Sequence, residues 1–298
     1  MAFQDRRPPA SFLSLPSELR NAIYTYLFDP AYSTTEADLS SPPSEPPNAP
    51  STEPSRPDLR PSCAVESNNQ RSSHALRVLQ TCKQMHHEAR LLALTHLPFH
   101  VRGETALPET FSVRSARLPR DRLRAVRTLT LTARISHLRA MNEAWGGVPF
   151  GAPELRLDAL VIVPSRPDVT DLPFREIADL SQSHTLAYVL GETLKGLRNV
   201  GYVEVRNHGC FDGAVWEKLY CGVVYRLWRW GGGKCGIRFA SGRAEEPGRA
   251  AEENRWFRAY LKDEKGDEGV EVGVEVCRLV GTSGQFPFDP SIDPRTDM

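Results

Sequence analysis

Val126-Arg127-Thr128-Leu129-Thr130-Leu131, Leu157-Asp158-Ala159-Leu160-Val161-Ile162 and Val200-Gly201-Tyr202-Val203-Glu204-Val205 can be laid side by side so that apolar residues coincide at the first, fourth and sixth places. Alternate residues of a strand share one face, so the fourth and sixth places would point together into a core. Each string follows a helical or loop segment, the clearest helix being expected over Ser183 to Gly196. Helix-then-strand units of this kind predict an α/β layer with a mainly parallel sheet.

Toward the C-terminus, Trp216, Leu219, Tyr220, Val223 and Leu227 recur at helical spacing within Ala214 to Trp228, the pattern of a helix covering a sheet. The end of that segment, Trp228-Arg229-Trp230, is read as core in the first instance, with exposed aromatic contact as the alternative. Asn254 to Leu261 reads as a short helix, Asp263 to Gly269 as an exposed turn, and Val270, Val272, Val274 and Val276 as an alternating strand. A disordered tail is expected over 281–298.

Toward the N-terminus the organisation differs. Within Phe12 to Phe28, Leu15, Leu19, Ile23 and Leu27 fall four apart, and Ala22 and Tyr26 widen the stripe into one amphipathic helix. Pro16 belongs near its first turn, where a missing N–H removes nothing, and Glu18 complements the dipole. Asp29 to Ser73 then carries nine Pro and ten Ser and almost no large apolar side chain, which predicts a disordered insertion. Ordering resumes with Ala75, Val78, Leu79, Cys82, Met85, Ala89, Leu92 and Leu97, a second long helix that Pro98 stops, followed by a short strand at Phe99-His100-Val101. The expected organisation is a tail over 1–11, a first helix over 12–28, the insertion over 29–73, a second helix of the head over 74–101, an α/β body over 102–280, and the final tail.

The strings Leu15-Pro16-Ser17-Glu18-Leu19-Arg20-Asn21-Ala22-Ile23-Tyr24 and Leu76-Arg77-Val78-Leu79-Gln80-Thr81-Cys82-Lys83-Gln84-Met85-His86-His87-Glu88-Ala89 resemble the head of a large fungal F-box-like family of unknown function. The resemblance implies a helical head that lays an apolar face into a groove on a Skp-type adaptor, with Leu15, Pro16, Leu19 and Ile23 as anchors. It also implies a body that holds a protein client, the two together forming a substrate receptor of a cullin-type ubiquitin ligase. The residues themselves leave a second reading open, in which the same stripe joins the two helices of the head and the chain is a scaffold without adaptor affinity. The string shared by the three strands is similar to a leucine-rich repeat core, which implies a degenerate repeat as the alternative to an ordinary α/β layer.

Composition narrows the function classes. The net charge is formally zero, so no global field draws the chain to nucleic acid or an anionic surface. One local exception runs from Val113 to Arg139, with eight arginines against the single acid Asp121. Such a stretch can grip phosphates, and Arg122, Arg124 and Arg127 carry the nucleic-acid alternative. The six cysteines form no CxxC pair, no apolar run reaches membrane-spanning length, and Met1 to Arg7 is polar, so a cytoplasmic or nuclear protein without membrane contact is expected.

Motifs for chemistry fail on particular residues. His86-His87-Glu88 begins like a zinc-protease helix, but Leu91 stands where the second histidine is needed. Cys63, His74, Cys82 and His86 match no zinc spacing. Gly231-Gly232-Gly233-Lys234 lacks the first glycine of a phosphate loop, replaced by Trp228, and its hydroxyl, replaced by Cys235. His208-x-Cys210 offers no orienting acid, and Glu245-Glu246 and Glu252-Glu253 lie in polar sequence without desolvation. The expectation is an α+β, non-enzymatic interaction protein with no cofactor and no metal.

Overall fold

The computed structural model describes residues 11–29, 75–103, 119–144, 154–165, 175–231, 236–243, 254–261 and 269–283. The chain divides into two compact units, Met1–Leu97 and Pro98–Met298. The expected tail 1–11, apart from Ser11, and nearly all of the expected insertion 29–73 lie outside the described residues, as do Gly232–Cys235, both glutamate pairs and the turn from Asp263 to Glu268.

In the first unit a 3-10 turn, Phe12–Ser14, leads into helix α1, Ser17–Phe28, with Pro16 at the N-cap and Glu18 in the first turn. The second segment differs from the single helix expected. Residues 75–77 and a 3-10 turn at Val78–Gln80 form a short first piece, and α2 begins anew at Lys83 and runs to His96. The break is local chemistry: Cys82 adopts an extended backbone and its Sγ accepts the Met85 N–H, acting as an N-cap. Apolar spacing continues across such a break, so periodicity could not register it.

The second unit is built on a seven-stranded mixed sheet in the order β1-β2-β3-β4-β6-β5-β7. β1 (Phe99–Gly103), β2 (Thr128–Arg134), β3 (Leu157–Ser165) and β4 (Val200–His208) are parallel neighbours in chain order. The three strings lie in lateral register: Leu129 is opposite Leu160 and Leu160 opposite Val203, while Leu131, Ile162 and Val205 form the next row. All six are buried. β5 (Arg238–Arg243), β6 (Asn254–Tyr260) and β7 (Val270–Glu271) complete the sheet antiparallel.

Helices α3 (Arg120–Ala125), α4 (Ile135–Ala144) and α5 (Arg175–Gly196) occupy the crossovers, and α6 (Gly213–Gly231) follows β4. α4 packs on α5, α5 on α6, and α6 on α7 (Val272–Ser283), giving a continuous helical layer. Consecutive parallel strands joined by crossovers of one hand place their helices on one side, which is why no alternation across the sheet is needed. α6 starts where Asp212 Oδ1 accepts the Val215 N–H, after a turn closed by two hydrogen bonds between the Asn207 amide and the Phe211 backbone. Its predicted stripe is buried as expected, and Trp216 and Tyr220 both stack on Phe257 with ring centroids 5.3 Å apart.

Two C-terminal expectations are overturned. Residues 254–260 form strand β6 rather than a helix: Phe257 and Ala259 point to the helical layer while Trp256, Arg258 and Tyr260 take the other face, a period of two with aromatic residues that suit a sheet. Of the valine alternation only Val270 is in a strand, β7; the rest belongs to helix α7, where Val272, Val276 and Leu279 are buried at helical spacing and Val274 is exposed. Glu275 decides that case, because a buried carboxylate needs partners: it accepts from Tyr220 Oη at 2.7 Å and is gripped by Arg278 Nε at 2.7 Å. Tyr220 is pushed well above its ordinary pKa by burial first and by this bond second. α7 also carries the chain through Ser283, into the segment expected to be a tail; residues beyond it lie outside the described ones.

Candidate functional site

The inward face of α1 is not its most apolar one. Arg20, Tyr24 and Phe28, spaced by four, are buried. Tyr24 and Phe28 meet Ala89 and Ala93 of α2, and the Phe12 ring stands edge-on to Tyr24 at 5.5 Å. Arg20 makes a fork with Glu88, Nε to Oε2 at 2.9 Å and Nη2 to Oε1 at 2.7 Å, and its Nη1 donates to the carbonyls of Leu13 and Leu15. Gln84 Nε2 donates to the same carboxylate at 3.0 Å, and the Tyr24 hydroxyl reaches it at 3.4 Å. Hydrogen bonds from Arg20 and then Gln84 hold the Glu88 carboxyl down to about 2, and the pair raises Arg20 in turn. Burial is the first cause raising Tyr24. One guanidinium thus ties α2, the helix α1 and the turn before it into one unit, a bidentate geometry that lysine could not reproduce.

This arrangement turns the predicted stripe outward. Leu19 is 53% exposed and Ile23 45%, with Tyr26 and Leu27 continuing the row and Leu13 exposed before it. Pro16 is exposed and Leu15 half-buried, its carbonyl held by Arg20. The four residues singled out from sequence therefore lie together at the start and outer face of α1. The reading in which they join α1 to α2 is not how the helices pack, since Arg20, Tyr24 and Phe28 take that role. Arg20 and Glu88 were not singled out from sequence because only the apolar stripe of α1 was read; the available signal was an Arg-Tyr-Phe series at spacing four and an acid in the second string.

Compared with known protein families and with curated proteins, the chain matches no family model and no protein. The F-box resemblance therefore stands on the residues of the head alone.

The second candidate, the basic stretch, is partly gathered. A cavity of about 400 Å3 is lined by Arg124, Arg127, Glu154 and Arg156, so two of the three predicted arginines converge with one that the sequence did not single out. Arg122 lies in the last turn of α3, half-buried and not among the lining residues. Acids share this rim: Arg127 Nη1 lies 3.7 Å from Asp158 and Arg120 Nε 3.7 Å from Glu154.

The remaining motifs have structural positions. His86 and His87 are exposed on α2 beside Glu88, which is engaged by Arg20. Cys210 is buried in the turn after β4, next to Gly209 at a φ of 71°. Among the described residues no three His, Cys, Asp or Glu side chains gather as a metal site, and no helix is long and apolar enough to cross a membrane. Cys63 and His74 lie outside the described residues.

Proposed function

We propose that this chain is a non-enzymatic protein-interaction module whose F-box-like head docks a Skp-type adaptor through Leu15, Pro16, Leu19 and Ile23, making it a substrate receptor of a cullin-type ubiquitin ligase. The carrying observation is the exposure of Leu19 and Ile23 on a helix whose other face is already committed to α2. A row of large side chains left in water forgoes about 25 cal/mol for each Å2 that could be buried, and a contiguous row on one helix face is the form in which helices enter grooves. The body, with its sheet and helical layer, then carries the client. Its three registered strings support a repeat-derived origin for the parallel half, while the antiparallel strands depart from a regular repeat.

The test is capture of a purified Skp-type adaptor by the full chain and by the double variant Leu19→Asp, Ile23→Asp. Both positions are exposed, so the variant keeps the circular dichroism of the parent. Capture by the parent alone supports the receptor reading; equal capture by both, or by neither, removes it and leaves a scaffold with an F-box-like head.

The convergence of Arg124, Arg127 and Arg156 supports a second reading, contact with nucleic-acid phosphates. It requires affinity for a DNA or RNA duplex that falls steeply with salt and that the triple change of Arg122, Arg124 and Arg127 to Gln abolishes. The intramolecular partners Asp158 and Glu154 are the reason it stands second.

A further inference from the structure

β4 and β6 present a face turned away from α6. Along β4 it carries Tyr202, Glu204 and Arg206, and along β6 their register partners Tyr260, Arg258 and Trp256. Strand alternation puts Val203, Val205, Phe257 and Ala259 on the opposite side, beneath the helices. Glu204 is almost fully buried between two guanidiniums, Arg206 Nε at 2.5 Å from Oε1 and Arg258 Nε at 2.7 Å from Oε2. The Arg258 guanidinium stacks on both aromatic neighbours, 4.6 Å from the Trp256 ring centroid and 5.3 Å from that of Tyr202, and the Tyr260 ring follows at 5.6 Å from Tyr202. On β5 the place opposite Trp256 is Gly242, where a Cβ would come within 2.7 Å of the indole. The indole is seated by a missing side chain.

We propose that this face is a docking surface for an extended, acidic segment of a protein client. Charge sets the partner's sign: among the described residues of this face one carboxylate meets two guanidiniums, leaving a positive charge over, and farther out Arg238 and Glu271 balance one another across β5 and β7. Access is retained, since the Arg206 and Arg258 side chains are 42% and 32% exposed. Geometry sets the partner's chemistry. Arg206 uses only Nε on Glu204, one of its five N–H donors, so the guanidinium is oriented by a buried acid and still able to grip an incoming carboxylate. Orientation beforehand lowers the entropy lost on binding, and Arg, Tyr and Trp are the residue types enriched where protein contacts are strongest. Burying a carboxylate costs desolvation that its ion pairs do little more than offset, so stability alone is a weak account of Glu204 under two arginines among three aromatic rings.

The inference rests on the reading of the chain as an interaction protein, not on adaptor docking. Its test is fluorescence anisotropy of a labelled peptide of alternating Glu and Tyr with the full chain at physiological salt, beside a peptide with Lys for Glu. The acidic peptide binds and the basic one does not. Arg206→Gln, which leaves Glu204 paired with Arg258, weakens binding by about tenfold or more, the loss of one charge-assisted contact. Gly242→Ala, which displaces Trp256 without changing charge, weakens it too, and Arg206→Lys restores only part. The Asp substitutions in α1 leave peptide binding intact, whatever they do to adaptor capture, so the two proposals fail separately. Equal binding of both peptides, binding of neither, or indifference to both Arg206→Gln and Gly242→Ala overturns the inference.

Discussion

Helices α1 and α6 carry the same kind of apolar stripe and use it in opposite ways. In α6, Trp216, Leu219, Tyr220, Val223 and Leu227 are all buried, and the aromatic members stack on the sheet. In α1 the most apolar row is outside, and the helix is held from its other face by Arg20, Tyr24 and Phe28. A hydrophobic stripe says that a surface should be covered; it does not say by what. A sheet of the same unit covers the first, while the second keeps Leu19 and Ile23 in water and fills its inner side with Tyr24, Phe28 and a hydrogen-bonded ion pair.

If that contrast holds, the largest effect belongs to the body. Phe257→Ala removes the ring under Trp216 and Tyr220 and is expected to lower unfolding stability by about 3–5 kcal/mol, measured by denaturant titration. Arg20→Ala comes next: it strips Glu88 of its fork and frees the Leu13 and Leu15 carbonyls, so amide exchange should lose protection over 17–28 and 83–96 while the sheet keeps its own. Unchanged protection in α1 would mean that the ion pair is not what holds the head.

Acid should act in the same place. Glu88 titrates at about 2 in the folded head against an ordinary 4.5, so the unfolded chain binds the proton more readily. Its contribution is complete above the unfolded value and is lost as the pH falls from about 4.5 toward 2. Head protection measured by exchange should decline through that window, and Glu88→Gln should flatten the decline. The smallest effect belongs to the outer face: Leu19→Asp is expected to change stability by no more than about 0.5 kcal/mol, as at other exposed positions. A loss comparable with Phe257→Ala would show that the stripe is covered after all.

The same distinction explains what was legible in the sequence. The three strings that match in sequence are aligned in the sheet, because matched apolar places in parallel strands are matched rows of one core. α6 was legible for the same reason. The failures occur where a polar or tertiary partner decides. Asn254–Tyr260 sets Arg255 and Arg258 three apart, a spacing that suits a helix, but Arg255 bonds Glu217 and Gly213 on one side of the sheet and Arg258 bonds Glu204 on the other. Val272 to Val276 alternate like a strand, yet Glu275 has its partners only as part of a helix beside Tyr220. Cys82 interrupts the second helix through a sulfur cap that no spacing reveals. In the head, Leu15, Pro16, Leu19 and Ile23 were named by the resemblance and their exposure was not legible, whereas Arg20 and Glu88 are far apart in sequence and meet only in the fold.

The most direct measurement of the α1 account is the alkylation rate of a thiol placed at Ile23→Cys, followed by mass spectrometry of its peptide in the full chain, with and without a saturating Skp-type adaptor. The account predicts the rate of an exposed thiol in the free protein and a slowing of about tenfold or more once the adaptor is bound, as expected where an anchor enters a desolvated pocket. Slow alkylation without the adaptor would show the stripe already covered, and a rate indifferent to the adaptor would show that this face is not where it docks.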